Sequence, residues 1–359
     1  MDHLPNPHRR RGLAPGPHLA EGEVVADPAA ARALFGQCPL AGASPLRNLP
    51  RLAEALGLGA LHAKDERERC GLGSFKALGA AHAIARAADA RVAAGAPMHG
   101  TALSGVTYVC ASAGNHGLSM AAGARLFGAA AVVLLAKTVP EAFAERLRAK
   151  GARVIRHGKV YDEAMAEARR LAIAEGWELL SDSSWVGYTE APAAVMEGYL
   201  ITAAEAVAEM PGPPSHVMLQ AGVGGLAAAI AAHLRRAWGA VPRIIVVEPE
   251  AAPCLIESVR AGFPRRVEGP DSAMGRLDCK EPSHIALACL AREADDFVTV
   301  GERAAAETVA WLAGEGIATT PSGAAGIAAL RHAGPVGPAL GLGPESRVLV
   351  WLSEGPEEA

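Results

Sequence analysis

The sequence predicts an α/β protein of two domains, each a parallel sheet flanked by helices. Three observations lead there. Short apolar runs of strand length alternate with helical stretches from residue 60 to residue 352, and that order needs crossover helices covering both faces of a parallel sheet. The chain has 359 residues, more than one hydrophobic core usually serves. Half of its residues are apolar but only 4% are aromatic, so the core must be built from Ala, Val, Leu and Ile.

Residues 1 to about 30 are rich in Pro, Gly, His and Arg without hydrophobic periodicity, and read as a tail or loosely docked arm. Residues 44–58 read as a turn and a short amphipathic helix, and 60–64 as a brief strand leading to Asp65 and Glu66. The alanine-rich, proline-free run 80–94 is a helix, which puts Lys76 in its first turn. Strand 107–111 is followed by helix 118–127 and buried strand 130–135. Helix 141–150, strand 152–156, helix 161–175 and a short strand at 178–180 continue the alternation. After a break come helix 191–210, strand 216–220, helix 227–238, strand 243–248, helices 304–315 and 323–332, and a last strand, 348–352.

Lys and Arg number 34 and Asp and Glu 38, a net charge of −4 with no long basic block, which argues against nucleic acid as the main partner. The one basic cluster, His8 to Arg11, lies in the Pro- and Gly-rich arm. The six cysteines show neither a C-x-x-C pair nor a metal spacing and read as reduced thiols, so no metal is expected. No apolar run reaches membrane-spanning length and no secretory signal opens the chain. The expected compartment is the cytoplasm.

Four stretches carry chemistry. Lys76, between Phe75 and Ala77 in Gly71–Gly79, has apolar neighbours that would carry its ammonium toward the interior. Desolvation favours the neutral amine there, a nucleophile for an aldehyde. Ser112-Ala113-Gly114-Asn115-His116-Gly117 sits at a strand end before a helix: its N–H groups and the Ser112 hydroxyl suit a carboxylate, and the Asn115 amide a hydroxyl or phenolate. Gly222-Val223-Gly224-Gly225-Leu226 occupies the same kind of corner, where a helix N-terminus accepts a phosphate. With Ala227 in the last place it fits the dinucleotide fingerprint only in loosened form, so this loop alone leaves a nucleotide open. Ser322 starts another helix as an N-cap and can also bond a ring nitrogen.

Together these stretches resemble the fold type II family of pyridoxal-phosphate (PLP) enzymes. Ser74-Phe75-Lys76 matches its cofactor-lysine motif, residues 112–117 its asparagine loop and residues 222–226 its phosphate loop. The resemblance spans about residues 38–355. It is nearest to the diaminopropionate ammonia-lyases, through Lys64-Asp65-Glu66, residues 182–188, residues 274–282 and Ser353-Glu354-Gly355. It implies a small arm or tail (1–35), a larger PLP-binding domain (36–80 with 190–359), a smaller substrate-side domain (81–189), and a homodimer. The cofactor would be held by Phe75, Lys76, Asn115, Gly222, Val223, Gly224, Gly225, Leu226 and Ser322, and a small amino-acid substrate by Ser112, Ala113, Gly114 and His116.

The activity implied is α,β-elimination from a small L-amino acid, 2,3-diaminopropionate or similar, yielding a 2-keto acid and ammonia. Lys76 or Asp182 would take the α-proton, each with a pKa brought toward neutrality. Ser322 opposite the pyridine nitrogen would leave it unprotonated, favouring elimination over transamination, and His116 would act as a support. Ala113 stands where these lyases carry the aspartate that serves D-substrates, as serine and threonine dehydratases often do. That leaves a serine/threonine dehydratase as one alternative, and a non-catalytic PLP or small-molecule binding protein as another.

Overall fold

Val, Ile and Leu runs bounded by turn residues make the strands, and alanine-rich stretches the helices that cover them. A computed structural model describes residues 1–96, 99–112 and 114–356. Among these residues the strands are β1 His3–Pro5, β2 Leu46–Asn48, β3 Ala60–Asp65, β4 Thr107–Ala111, β5 Ala130–Leu135, β6 Arg153–Arg156, β7 Glu178–Leu179, β8 His216–Gln220, β9 Arg243–Pro249, β10 Asp296–Val300 and β11 Arg347–Leu352. They form a seven-stranded sheet, β1-β10-β9-β8-β11-β3-β2, and a four-stranded one, β6-β5-β4-β7.

All pairs of the small sheet and the five inner strands of the large one are parallel. The two edges of the large sheet, β1 and β2, run antiparallel. The inner strands β8 to β10 are buried along nearly their whole length, as strands covered on both faces must be. Small alanine side chains let the helix Gly225–Trp238 lie flat on the sheet, with Ala227 to Ala231 fully buried. No helix among the described residues is long and apolar enough to cross a membrane.

The amino-terminal segment is more firmly held than a tail. β1 is an edge strand on β10, and the Asn6 amide donates to the carbonyls of Ala291 and Ala294 at 2.9 and 2.7 Å. The helix Ala29–Phe35 follows. A three-residue edge strand with half-exposed side chains leaves no periodicity in the sequence, because its order comes from backbone pairing with β10. The same holds for β2. The helices Cys254–Ala261 and His284–Glu293 and strand β10 fill the stretch between 249 and 301, where no elements were expected.

The segment ahead of the lysine motif is fixed by buried charge. Glu66, fully buried, accepts from Ser44 Oγ at 2.6 Å, Thr202 Oγ1 at 2.5 Å and Arg69 Nε at 2.7 Å. Arg69 reaches on to Glu205, and Lys64 lies between Glu205 and Glu209. Burial pushes Glu66 up, yet the Arg69 guanidinium and the hydroxyl donors outweigh it and hold the carboxyl below its ordinary value. Lys64 and Glu66 thus clamp β3 to the helix Glu190–Glu209, while Asp65 between them takes Arg47 and Arg67.

That helix approaches the lysine turn at Gly198, where a Cβ would lie 2.0 Å from the Leu78 carbonyl oxygen and 2.8 Å from His82 Cβ. Backbone cannot yield cheaply. We expect Gly198→Ala to destabilise the fold by about 1–3 kcal/mol through overpacking, read as a lowered midpoint in urea unfolding. A midpoint equal to wild type would show that the two elements can part without cost.

Candidate active site

β3 delivers the chain to the lysine and β11 braces it. Ser74 is extended and bridges Glu354, and the Phe75 N–H donates to the Ser353 carbonyl at 3.0 Å. Lys76 does not sit in the first turn of the long helix: Phe75–Leu78 is a 3₁₀ turn, and the helix Ala80–Ala93 begins after Gly79. A Cβ at Gly79 would come within 2.6–2.8 Å of the Tyr199 ring and hydroxyl. The alanine-rich composition concealed this break, which is set by Tyr199 on a distant helix.

Lys76 Nζ makes an ion pair and hydrogen bond with Asp182, which follows β7 of the other sheet. The pair therefore spans the cleft between the sheets, with about a fifth of each side chain exposed (21% and 22%). Burial acts to lower the Lys76 pKa, but the adjacent Asp182 charge outweighs it and holds the ammonium well above the ordinary lysine range. Burial acts upward on Asp182, and the Lys76 charge holds it well below the ordinary carboxylate range. The two pKa values are driven apart, the reverse of the convergence on neutrality that the sequence led us to expect. Unpaired, each would have moved the expected way; the partner reverses the sign.

The asparagine loop closes the other wall. Ser112 Oγ accepts the N–H groups of Gly114 and Gly117, both at 3.2 Å, and so satisfies the start of the helix Asn115–Leu126 while keeping its own proton to donate. Ala113 lies outside the described residues. The Asn115 amide donates to Glu354 Oε2 at 2.7 Å. His116 Nε2 bonds the Leu180 carbonyl at 2.8 Å, which makes it the protonated nitrogen, and burial holds the ring pKa down. A neutral His116 with its N–H committed to backbone is a support, not an acid.

In the large domain, β8 ends at Gln220 and the helix Gly225–Trp238 starts with Gly224 at φ +99° as its cap. Gly222 is required by packing, since a Cβ there would lie 2.9 Å from Cys279 Sγ and 3.1 Å from Leu277 Cα. Val223 accepts the Ser283 N–H at 3.0 Å, and Leu226 is buried. The glycines are thus explained by the turn itself, while the N–H groups of the helix's first turn have no intrahelical acceptor. Ser322 is not the N-cap of its helix. Thr320 holds that place, accepting the Gly323 N–H at 3.0 Å, because Pro321 occupies the first helical position. Ser322 is buried, and its oxygen accepts the Arg276 N–H at 3.1 Å.

Three residues of the cleft had no role assigned from the sequence. Glu354 joins the walls, accepting from Asn115 and, at 2.5 Å, from Thr320 Oγ1. Arg276 lies against Gly114, whose Cβ position is 3.3 Å from its Nε, and its guanidinium sits 5.4 Å from the Phe143 ring centroid. Tyr199 packs edge-on against Phe75 at 5.0 Å. Glu354 and Arg276 stood within the matched stretches and could have been singled out as charges there. Tyr199, in an apolar helix, reads as core.

PLP fits this cleft. Ser74 Oγ, His116 Nδ1 and Tyr199 Oη are buried there without a hydrogen-bond partner, and such groups are normally satisfied by something the protein binds. Tyr199, 5.7 Å from Lys76 Nζ by its ring centroid and 3.8 Å from the Gly225 Cβ position by its Cε2, ties the lysine to the glycine loop. An amine for an aldehyde, a helix N-terminus for a phosphate and an amide for a phenolate therefore line one cleft.

Comparison with known proteins agrees. The profile of the family "Pyridoxal-phosphate dependent enzyme" matches residues 38–354. The chain is 34% identical to the diaminopropionate ammonia-lyase of Salmonella typhimurium over 293 residues, covering 77% of this chain and 72% of that one. It is 32% identical to the Escherichia coli K12 enzyme over 274 residues, covering 73% and 69%. A crystal structure of the E. coli lyase in complex with an aminoacrylate-PLP azomethine reaction intermediate superposes with a TM-score of 0.85 at 28% identity, over 99% of this chain and 93% of that one. The chain belongs to the pyridoxal-phosphate-dependent enzymes, as a fold type II member similar to the diaminopropionate ammonia-lyases.

Proposed function

We propose that this chain is a PLP-dependent ammonia-lyase that eliminates the β-substituent of a small L-amino acid, 2,3-diaminopropionate or a near analogue, to give a 2-keto acid and ammonia. The observation that carries the reading is the Lys76–Asp182 pair across the cleft, in a chain similar over most of its length to two such lyases. Bound PLP supplies an electron sink for negative charge at the substrate Cα.

The residues divide the remaining work. Lys76 would anchor the cofactor's carbonyl group, Gly222–Leu226 would hold its phosphate at the helix N-terminus, Phe75 would pack beside it and Asn115 would meet its phenolic oxygen. Ser322, whose oxygen already accepts Arg276 N–H, has its proton left to donate to the ring nitrogen. Ser112, which keeps its hydroxyl proton to donate, orients the substrate carboxylate, and His116 supports that wall. Once the Lys76 nitrogen is no longer an ammonium, the charge that depresses Asp182 is gone, and burial, which acts upward, remains. Asp182 then becomes a base or acid within reach of neutral pH.

The sheets support a division into a larger cofactor-binding domain (36–80 and 190–359) and a smaller substrate-side domain (81–189), with the amino-terminal arm (1–35) adding β1 to the edge of the larger sheet. The family resemblance supports a homodimer, and six unpaired cysteines that read as reduced thiols support the cytoplasm.

Ala113 favours a second reading, a serine or threonine dehydratase. Assay of 2-keto acid from L-2,3-diaminopropionate and from L-serine separates the two. We expect kcat/KM at least about tenfold higher for diaminopropionate, a difference of about 1.4 kcal/mol in transition-state binding. A preference for serine selects the dehydratase, and no keto acid from either sinks both in favour of a binding protein.

A further inference from the structure

Tyr199 is 1% exposed on the helix Glu190–Glu209, and its ring has an ordinary packing role against Phe75. Its hydroxyl does not. The oxygen is buried and makes no hydrogen bond of ordinary length and angle, although buried phenols nearly always find one, and it lies close enough to Lys76 for each to act on the other. The space around it is kept open by Gly79, where a Cβ would lie 2.7 Å from that oxygen. Lys76 Nζ lies 5.7 Å from the ring centroid and is bonded to Asp182 on one side. An ammonium has three protons to donate, and Asp182 accounts for one of them.

We propose that the Tyr199 hydroxyl is a positioning group for Lys76, its oxygen accepting a hydrogen bond from Nζ whenever the amine is free and charged. Asp182 and Tyr199 then hold the nitrogen from two directions. An amine that takes up a proton during turnover is kept at a fixed point in the cleft instead of swinging through it. The inference rests on the reading of Lys76 as the cofactor lysine.

The sign of its effect follows from which form is held. A neutral hydroxyl oxygen stabilises the ammonium, so Tyr199 adds to the upward pull of Asp182 on Lys76 against burial, which acts downward. The other titratable groups that act on Lys76 are His116 and Cys279, and both stay in place when only the hydroxyl is removed.

Tyr199→Phe keeps the ring and deletes the hydroxyl. In cofactor-free protein, acetic anhydride at limiting concentration and fixed pH acetylates the unprotonated amine, and mass spectrometry of the Lys76 peptide gives the rate. We expect about a tenfold faster rate in the variant, equivalent to one pH unit or about 1.4 kcal/mol. A rate within twofold of wild type overturns the proposal. Should Tyr199→Phe not fold, Gly79→Ala serves, because its methyl displaces the phenol from the same position: a rise in labelling supports the proposal and an unchanged rate overturns it.

PLP uptake by the wild-type protein, read by absorbance, is scored separately. Uptake with unchanged labelling sinks only the tyrosine's role. A labelling rise without uptake upholds the hydroxyl and sinks the cofactor reading.

Discussion

Lys76→Ala removes the near-visible absorbance that PLP gives the wild-type protein and lowers 2-keto acid production by at least about 10³-fold. Lys64, the nearest lysine in sequence, does not substitute, because it is buried and paired with Glu205 and Glu209. The variant also inverts an acid-stability trend. In the cofactor-free wild type the folded-state pKa of Asp182 is depressed, so its contribution to stability is present above the unfolded carboxylate value, about 3.9, and is lost as pH falls through the folded value. Without Lys76, burial raises the Asp182 pKa above that reference. Its contribution is then present below about pH 4 and is lost as pH rises through the raised value. Urea midpoints of the cofactor-free proteins between about pH 4 and 7 should therefore fall with pH in the variant relative to wild type. Parallel curves would show that the Lys76–Asp182 pair is not the source of either shift, and retained activity would sink the lysine assignment.

What could be read in the chain beforehand follows from how local each determinant is. The inner strands and their helices stood out because burial on both faces forces continuous apolar runs; 161–175 and 216–220 were expected at the bounds they have. The edge strands β1 and β2 were not legible, since backbone pairing with β10 and β3 orders them and their side chains carry no period. At the site, Lys76, Asn115 and the 222–226 loop were legible because strand-to-helix corners are local features. Proton states were not. The sequence offered an apolar-flanked lysine, from which a lowered pKa follows, while the opposite result comes from Asp182, 106 residues away along the chain. Tyr199 escaped for a related reason: its hydroxyl acquires meaning only from Gly79 and Lys76, which the fold brings beneath it.

Asp182→Asn should separate two steps that Lys76→Ala abolishes together. Asparagine keeps the shape of the side chain and removes its charge, so Lys76 loses the partner that holds it protonated, and burial, which acts downward on the amine, takes over. A larger fraction of Lys76 is then neutral at pH 7. Attachment of added PLP, followed by absorbance, should be about tenfold faster than in wild type, one pKa unit being tenfold in unprotonated amine. Turnover should move the other way, falling by about 10²–10⁴-fold, the range for loss of a positioned proton-transfer group, because an amide can neither accept the α-proton nor protonate the leaving group. Faster loading with slower turnover is a combination that simple damage to the cleft would not produce, since damage slows both. Turnover within tenfold of wild type would remove Asp182 from the proton path and leave Lys76 as the base. Slower loading would show that the ion pair orients the amine more than it disables it.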